Sequence, residues 1–475
     1  MRSTSRVLAL TLAVVAFTTL ACSASIARAA RLDPTFGRNG TVVARHGGSL
    51  EKAFAMTEYA GQASALTEDR QGRTLVGGGS GYELLVQRYL PDGTPDASFG
   101  AGGSVRLRDL NTSKAPGYVP SPAIEAPRVR DIAVRPDGKI LLVTQTNRFS
   151  FGGLHASIYE MFIQLNDDGS VDLGFTDPDF DFGELPPGGH RGLSFARPRS
   201  LTLIPGGGFF TTGEDRKSVA PFDGLTQSGY VARRNSDGSQ FERFGGPSVG
   251  AGTKFFTPRG RPYVASVSRL IRLKSGSLVV GGYDRNRFFI SKLDSLGRPV
   301  KSFGSRATPG RTIASFGGRK QLRTVGGDLA ASPLGGFVQV GYADRQINGR
   351  GTVVLVRYRP NGRLDRGFGS NGFASVAIFP YVYARTVAVQ PNGKILVTAW
   401  KGEAFSSKFM LLRFRPNGKL DPTFFGDGKY IADIGTVSTA EKILIDSKGR
   451  AVVAGGAAID GKGSFVIKRF LLGSR

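Results

Sequence analysis

The 475-residue sequence predicts an all-β fold, a closed seven-bladed β-propeller of four-stranded blades. Three observations carry this expectation. A strand–turn–strand phrase recurs seven times, a second glycine-turn phrase accompanies it, and the two ends of the chain hold complementary halves of one copy. A fixed recurrence of this kind marks a repeat architecture. No stretch shows the 3.6-residue periodicity of an amphipathic helix.

The chain opens with a three-part leader. Arg2 and Arg6 are followed by an apolar run, Val7 to Ala21, and by Ala27-Arg28-Ala29, an A-x-A cleavage motif. The pattern predicts a signal peptide over 1–29, export, and a single propeller domain over 30–475. An uncleaved anchor or a lipid on Cys22 are the alternatives, although "TLA" is a poor lipid-attachment context. Cys22 is the only cysteine, so the exported chain has no disulfide framework, thiolate metal site or cysteine nucleophile. No transmembrane span follows the leader.

The net charge is +26. Losing Arg2, Arg6 and Arg28 with the leader brings it to +23. Such a surface attracts polyanions, whether acidic glycan, nucleic acid or an anionic cell envelope. Solubility with arginine-rich composition is the plain alternative.

The seven first phrases are "TEDRQGRTLVGGG", "AVRPDGKILLVTQ", "TLIPGGGFFTTGE", "IRLKSGSLVVGGY", "AASPLGGFVQVGY", "AVQPNGKILVTAW" and "LIDSKGRAVVAGG". They align on Gly72, Gly138, Gly207, Gly276, Gly335, Gly393 and Gly449, at intervals of 56 to 69 residues. Each reads as strand, polar turn, β-branched strand, and Asp-Gly or Asn-Gly supplies the positive φ of a tight turn. The second phrase adds a third strand, a second turn glycine (Gly93, Gly169, Gly238, Gly297, Gly362, Gly418), and Phe-Gly before a short fourth strand. Its phenylalanines are Phe99, Phe175, Phe244, Phe303, Phe368 and Phe424.

The opening "RLDPTFGRNG" has only the back half of "RYRPNGRLDRGFGSNG", and the closing "FVIKRFLLGSR" has only the front half. Aligning Arg469-Phe470 with Arg357-Tyr358 makes Leu32 and Asp33 the next expected residues. The N-terminal strand therefore completes the last blade, removing the sheet edges that an open array would expose. Phe36, Val42 and Val43 are expected to bury at the seam.

Phrases such as "VAVQPNGKILVTAW" and "MLLRFRPNGKLDPTFFGDGKY" resemble the delta-60 repeat proteins, a bacterial β-propeller family of largely unassigned function. The resemblance covers essentially all of the exported chain. It implies an extracellular or surface-associated propeller and carries no catalytic residues. "SQFERFG" and "RPVKSFG" depart from the pattern by lacking the Asp before Phe-Gly.

That Asp recurs as Asp33, Asp96, Asp172, Asp365 and Asp421, and a cation in the preceding strand recurs as Arg88, Arg233, Lys292, Arg357, Arg413 and Arg469. A ring of arginines is suited to phosphate or carboxylate. Turn capping and pairing between sheets is the stronger reading, because residues repeated in every blade solve a problem that every blade shares.

Length variation falls in the second-to-third and blade-to-blade connections, which share one face of the disc. Rigid scaffolds carry function on such loops. They are rich in arginine, glycine and aromatics, a combination suited to sugar faces or unstacked bases. The candidate ligand residues are His155, His190, Arg191, Arg197, Lys254, Arg259 and Arg261. Asp177, Asp179 and Asp181 alternate in "FTDPDFDFGE" as calcium ligands could, but Phe182 stands where the calcium loop has glycine. No cofactor is otherwise expected.

No metal spacing, nucleophile elbow or phosphate loop appears. The sequence therefore predicts an exported, non-enzymatic monomer that presents a basic loop face to an acidic glycan, another surface polyanion or a protein. The rival is a polysaccharide hydrolase or lyase with carboxylates gathered near the central channel. A passive scaffold is the third reading.

Overall fold

The computed structural model describes residues 29–49, 62–80, 83–108, 127–149, 156–175, 189–194, 196–215, 227–245, 252–256, 265–317, 323–345, 350–402 and 406–473. Among them are seven antiparallel sheets and no α-helix. The innermost strands, one for each of blades 1 to 7, are Ala63–Glu68, Arg128–Val134, Ala196–Leu203, Ala265–Arg272, Arg323–Ala331, Val382–Val389 and Val437–Ile445. Each lies against the next, and Val437–Ile445 lies against Ala63–Glu68, so the ring is closed. Blade 4 departs from four strands, because Gly304–Ser305 and Thr308–Pro309 add a small ribbon outside Arg311–Ala314.

The first-turn glycines all have φ between 77° and 90°. Except for Gly206 in blade 3, with φ 87°, the residues before them do not share this conformation. Asp137 instead caps its turn through its side chain, Oδ1 accepting from Lys139 N at 3.1 Å, and Asn392 accepts from Lys394 N at 3.1 Å. The glycine N–H closes the turn, as Gly138 N donates to Arg135 O at 3.0 Å. The turns are thus right-handed turns followed by one left-handed glycine rather than two-residue mirror-image turns.

The core is not central. It consists of layers between neighbouring sheets, of which the 1–2 layer (Leu75, Val86, Phe99, Ile132, Leu142) and the 5–6 layer (Val340, Leu355, Phe368, Val397, Leu412) are typical. Alternating strand residues face the preceding and following blade, which is why both faces of every sheet are apolar.

Both terminal strands pair with Lys462–Leu471. Arg31 and Leu32 face Leu471 and Phe470, and Thr41 to Arg45 face Lys468 to Ser464. The Leu32–Phe470 pair repeats the Tyr358–Leu364 and Phe414–Leu420 bridges of blades 5 and 6. Asp33 N donates to Arg469 O at 2.9 Å, as Asp365 N does to Arg357 O. Phe36 is fully buried and Val42 partly, packed with Ala44 against one core layer, but Val43, which alternates to the opposite face of the outermost strand, is 41% exposed. The burial expected for Val43 is therefore not made.

Candidate functional site

The recurring polar residues bind blade to blade. Asp33 Oδ1 accepts from Thr35 N at 3.0 Å and Thr35 Oγ1 at 2.7 Å, while Oδ2 accepts from Arg469 Nε at 2.8 Å. Asp96 repeats this with Ser98 and Arg88, and Asp421 with Thr423 and, as an ion pair at 2.9 Å, Arg413. In Asp365 the pair to Arg357 is 3.2 Å; Asp172 takes Gln164 and Lys139 in place of arginine. Burial alone would raise the Asp33, Asp96 and Asp421 carboxyls, but these hydrogen bonds and arginines hold them below the usual range.

The same arginines then reach the next blade's second turn. Arg413 Nη1 donates to Leu472 O at 2.7 Å, Arg357 Nη1 to Pro416 O at 2.9 Å, and Arg233 Nη1 to Ser295 O at 3.2 Å. Arg88 reaches Asp167 O, and Arg469 reaches Pro91 O across the seam. Blade 2 has Gln164 at this position, and Arg135 substitutes, donating to Gly207 O at 2.9 Å and Ser236 O at 3.0 Å in blade 3. The guanidinium groups lie over the repeat phenylalanines, Arg413 being 4.8 Å from the Phe424 centroid.

The non-repeating chemistry lies at the axis. Every innermost strand carries a β-bulge, and the extra residue always stands eight before the turn glycine: Ser64, Arg130, Arg199, Ser268, Gly327, Glu441, and in blade 6 the pair Arg385-Thr386. A bulge places two consecutive side chains on the same side, here the channel side. It also pushes a carbonyl toward the second strand, which tolerates this where it has glycine. A Cβ on Gly282 would stand 1.9 Å from Ser266 O, and one on Gly455 1.8 Å from Thr439 O.

The residues seven before the turn glycine form the channel floor. Lys442 of blade 7 lies 3.3 Å from Asp131 of blade 2. Arg269 of blade 4 lies 3.6 Å from Asp131 and 2.8 Å from Asp328 of blade 5. The two Asp131 contacts each span a blade, whereas Arg269 and Asp328 belong to neighbouring blades. Both carboxylates are also fixed by backbone, Asp131 accepting from Leu201 N at 2.9 Å and Asp328 from Val387 N at 3.2 Å. Burial opposes the charge on Arg269, but Asp328 and Asp131 outweigh it and raise its pKa. Burial, helped by Arg269, lowers that of Lys442 despite Asp131 and Asp328.

Above the floor is a cavity of about 310 Å³ at the strand starts, on the long-connection face. Among the described residues, seven cations line it: Arg128, Arg130, Arg197, Arg199, Arg269, Arg385 and Lys442. Arg199 lies 3.2 Å from Glu214, Arg385 lies 3.0 Å from Glu441, and Arg130 Nε donates to Gln145 at 2.9 Å. With Asp131 and Asp328, the described contacts place four carboxylates against these seven cations. One wall is aromatic. Tyr342 lines the cavity and meets Tyr383 edge-on at 5.0 Å, and Tyr383 stacks on Trp400 at 4.0 Å.

Of the sequence-derived candidates, Arg197 lies in this cavity, 3.9 Å from Glu214. Lys254 lies on the outermost strand of blade 3, paired to Val231 and away from the axis. The backbone of His190 and Arg191 forms the outer strand of blade 2, paired with Phe162 and Met161. The positions His155, Arg259, Arg261, Asp177, Asp179, Asp181 and the leader up to Arg28 lie outside the described residues. Arg130, Arg199, Arg385 and Tyr342 were not singled out from sequence. Among the described residues no cluster of metal-ligating side chains occurs, and no helix is long and apolar enough to cross a membrane.

Three stretches of the chain, 72–99, 338–368 and 390–424, match a β-propeller domain of unknown function, DUF5122. No curated protein matches the chain. Among solved structures it resembles a protein of unknown function from Dyadobacter fermentans (12% identity, 92% of this chain and 99% of that one, TM-score 0.41). It also resembles an ulvan lyase of polysaccharide lyase family PL25 (12%, 88% and 95%, 0.47) and Drosophila Semaphorin 1a (8%, 90% and 88%, 0.41). At these identities and TM-scores the resemblances carry no information on ligand or activity.

Proposed function

We propose that the protein is an exported, non-enzymatic binding propeller that takes an acidic glycan at the long-connection mouth of its channel. One observation carries this reading: among the described residues, seven cations and two carboxylates, Asp328 and Glu441, line a single cavity. In a concave, partly desolvated site such a gathering of cations attracts anions and strengthens each contact relative to bulk water. The carboxylates that the enzymatic rival requires are present, but Asp131, Asp328, Glu441 and Glu214 are each held against a cation.

Retention on immobilised heparin and on polygalacturonate, followed across a salt gradient, tests the reading. Elution is expected to depend steeply on ionic strength and to move to lower salt in Arg130→Gln. Elution independent of salt, or identical for the variant, would overturn it. Release of new reducing or unsaturated sugar ends from either polymer would favour the enzyme instead. Export is tested by sequencing the N-terminus of protein recovered outside the cytoplasm of its expressing cell, where Ala30 is the expected first residue.

A further inference from the structure

We infer that the channel mouth is a blind, end-on site for the terminal uronate residue of an acidic oligosaccharide, and that no chain threads the ring. The inference rests on the glycan-binding reading above and specifies how much of the glycan is read.

Three features of the cavity support it. The first is the floor. Lys442, Asp131, Arg269 and Asp328 come from blades 7, 2, 4 and 5, all seven residues before the turn glycine, and are joined in series, the two Asp131 contacts each spanning a blade. Asp131 and Asp328 are also held by the Leu201 and Val387 N–H groups of the following blades, so the series is anchored to the backbone at two points. A ligand entering from the mouth meets this layer as a closed surface. Arg269 and Lys442 are part of that surface as well as of the floor.

The second feature is size. At about 310 Å³ the cavity stands at the lower limit of small-molecule sites. That is room for one sugar residue, with any remaining chain leaving through the mouth. A polymer lying across the face would instead require an extended groove.

The third is the division of the wall into two chemistries. Arg130, Arg199 and Arg385 each occupy the bulge position of their strand, so the bulge itself brings the guanidinium groups to the cavity. Guanidinium groups take carboxylates in paired, charge-assisted hydrogen bonds. Ser64 and Ser268 occupy the same position in blades 1 and 4 and add neutral hydroxyls suited to sugar hydroxyls. Tyr342, backed by Tyr383 and Trp400, offers a rigid apolar face for the pyranose ring. A uronate residue is the sugar that carries a carboxylate and an apolar ring face together. A bare inorganic anion would use the arginines and leave the tyrosine unused.

The test is isothermal titration of the full chain with galacturonate oligomers from trimer to dodecamer, with sulfate as the bare-anion probe. End-on binding predicts one protein per oligomer at every length and affinity nearly constant along the series. Arg385→Gln and Arg130→Gln are each expected to weaken binding by about tenfold, the loss of one charge-assisted hydrogen bond. Tyr342→Ala is expected to weaken the oligomers about tenfold while leaving sulfate unchanged. The Arg130 and Tyr342 variants are read beside circular dichroism so that misfolding is recognised, and Ser268→Ala serves as a milder second probe of the same cavity. If the number of proteins per chain rises with oligomer length, the end-on inference fails while the glycan-binding reading stands. If neither oligomer nor polymer binds at low salt, both fail.

Discussion

His46 provides a quantitative test of the seam. It lies on the N-terminal strand that completes blade 7 and is 1% exposed. Its Nε2 accepts a hydrogen bond from Phe465 N at 3.1 Å, and its ring meets Phe465 edge-on at 4.3 Å. Accepting at Nε2 puts the proton of the neutral ring on Nδ1, which has no partner among the described residues. Burial, reinforced by the charge of Arg106, pulls its pKa from 6.5 down to about 4. As pH falls, the unfolded chain takes up this proton first, so acid favours unfolding. The seam's stability is fully present above 6.5, is lost between 6.5 and about 4, and levels off below. At about 1.4 kcal/mol per pH unit the total is about 3 kcal/mol, of which about 2.5 kcal/mol is gone by pH 4.5. His46→Gln keeps an acceptor for Phe465 N–H and removes the titration. Urea unfolding of both proteins at pH 7.5 and pH 4.5 gives the difference of differences. The lowered carboxyls of Asp33, Asp96 and Asp421 contribute equally to both. The wild type is expected to lose about 2.5 kcal/mol more than the variant over this interval. Equal losses would refute the buried, neutral histidine.

Three further perturbations address the fold. Removing residues 31–45 uncovers the Lys462–Leu471 edge and takes away Phe36, whose burial alone is worth about 1.5–3 kcal/mol; a lower melting temperature and aggregation by light scattering are expected, and an unchanged profile would count against closure. Arg413→Ala removes the charge-assisted bond to Asp421, which keeps Lys394 at 3.1 Å, and the bond to Leu472 O, so chemical denaturation should register a loss of about 1.5–3 kcal/mol, short of that for a fully unpaired buried charge. Gly455→Ala forces a methyl group onto Thr439 O and is expected to cost about 1–3 kcal/mol or more, whereas Gly426→Ala, whose Cβ would meet nothing within 4 Å, should pay only for its left-handed φ of 89°.

The fold was legible because two short-range devices repeat: a left-handed glycine at each turn, and a phenylalanine that packs against the next blade's turn glycine. A Cβ on Gly362 would come within 2.4 Å of Phe303, so the pair can be seen as two conserved spacings in one chain. The seam was legible for the same reason, since Leu32 and Asp33 continue a register that ends at the C-terminus. The cavity was harder to see. The connections of variable length draw attention in the sequence, whereas Arg130, Arg199 and Arg385 lie inside the innermost strands of the repeat. The available signal was a column that refuses to repeat. Eight residues before the turn glycine the seven copies read Ser, Arg, Arg, Ser, Gly, Arg, Glu, and seven before it they read Ala, Asp, Ser, Arg, Asp, Thr, Lys. The bulge that turns this column inward is a three-dimensional event that hydrophobic alternation does not encode. Arg197 was found only because "ARPR" borders a long connection.

The pairing of Leu32 with Phe470 also fixes an order of events during synthesis. The first strand to be made must wait, without its partner, while six sheets assemble in turn, and it is used only when the last strand is complete. Sealing is therefore the most sequence-distant step in the molecule and the one that pays the largest loop-closure entropy. Until it happens, the nascent ring exposes two adhesive borders, which makes the interval before closure the period of greatest exposure to mispairing with a neighbouring copy.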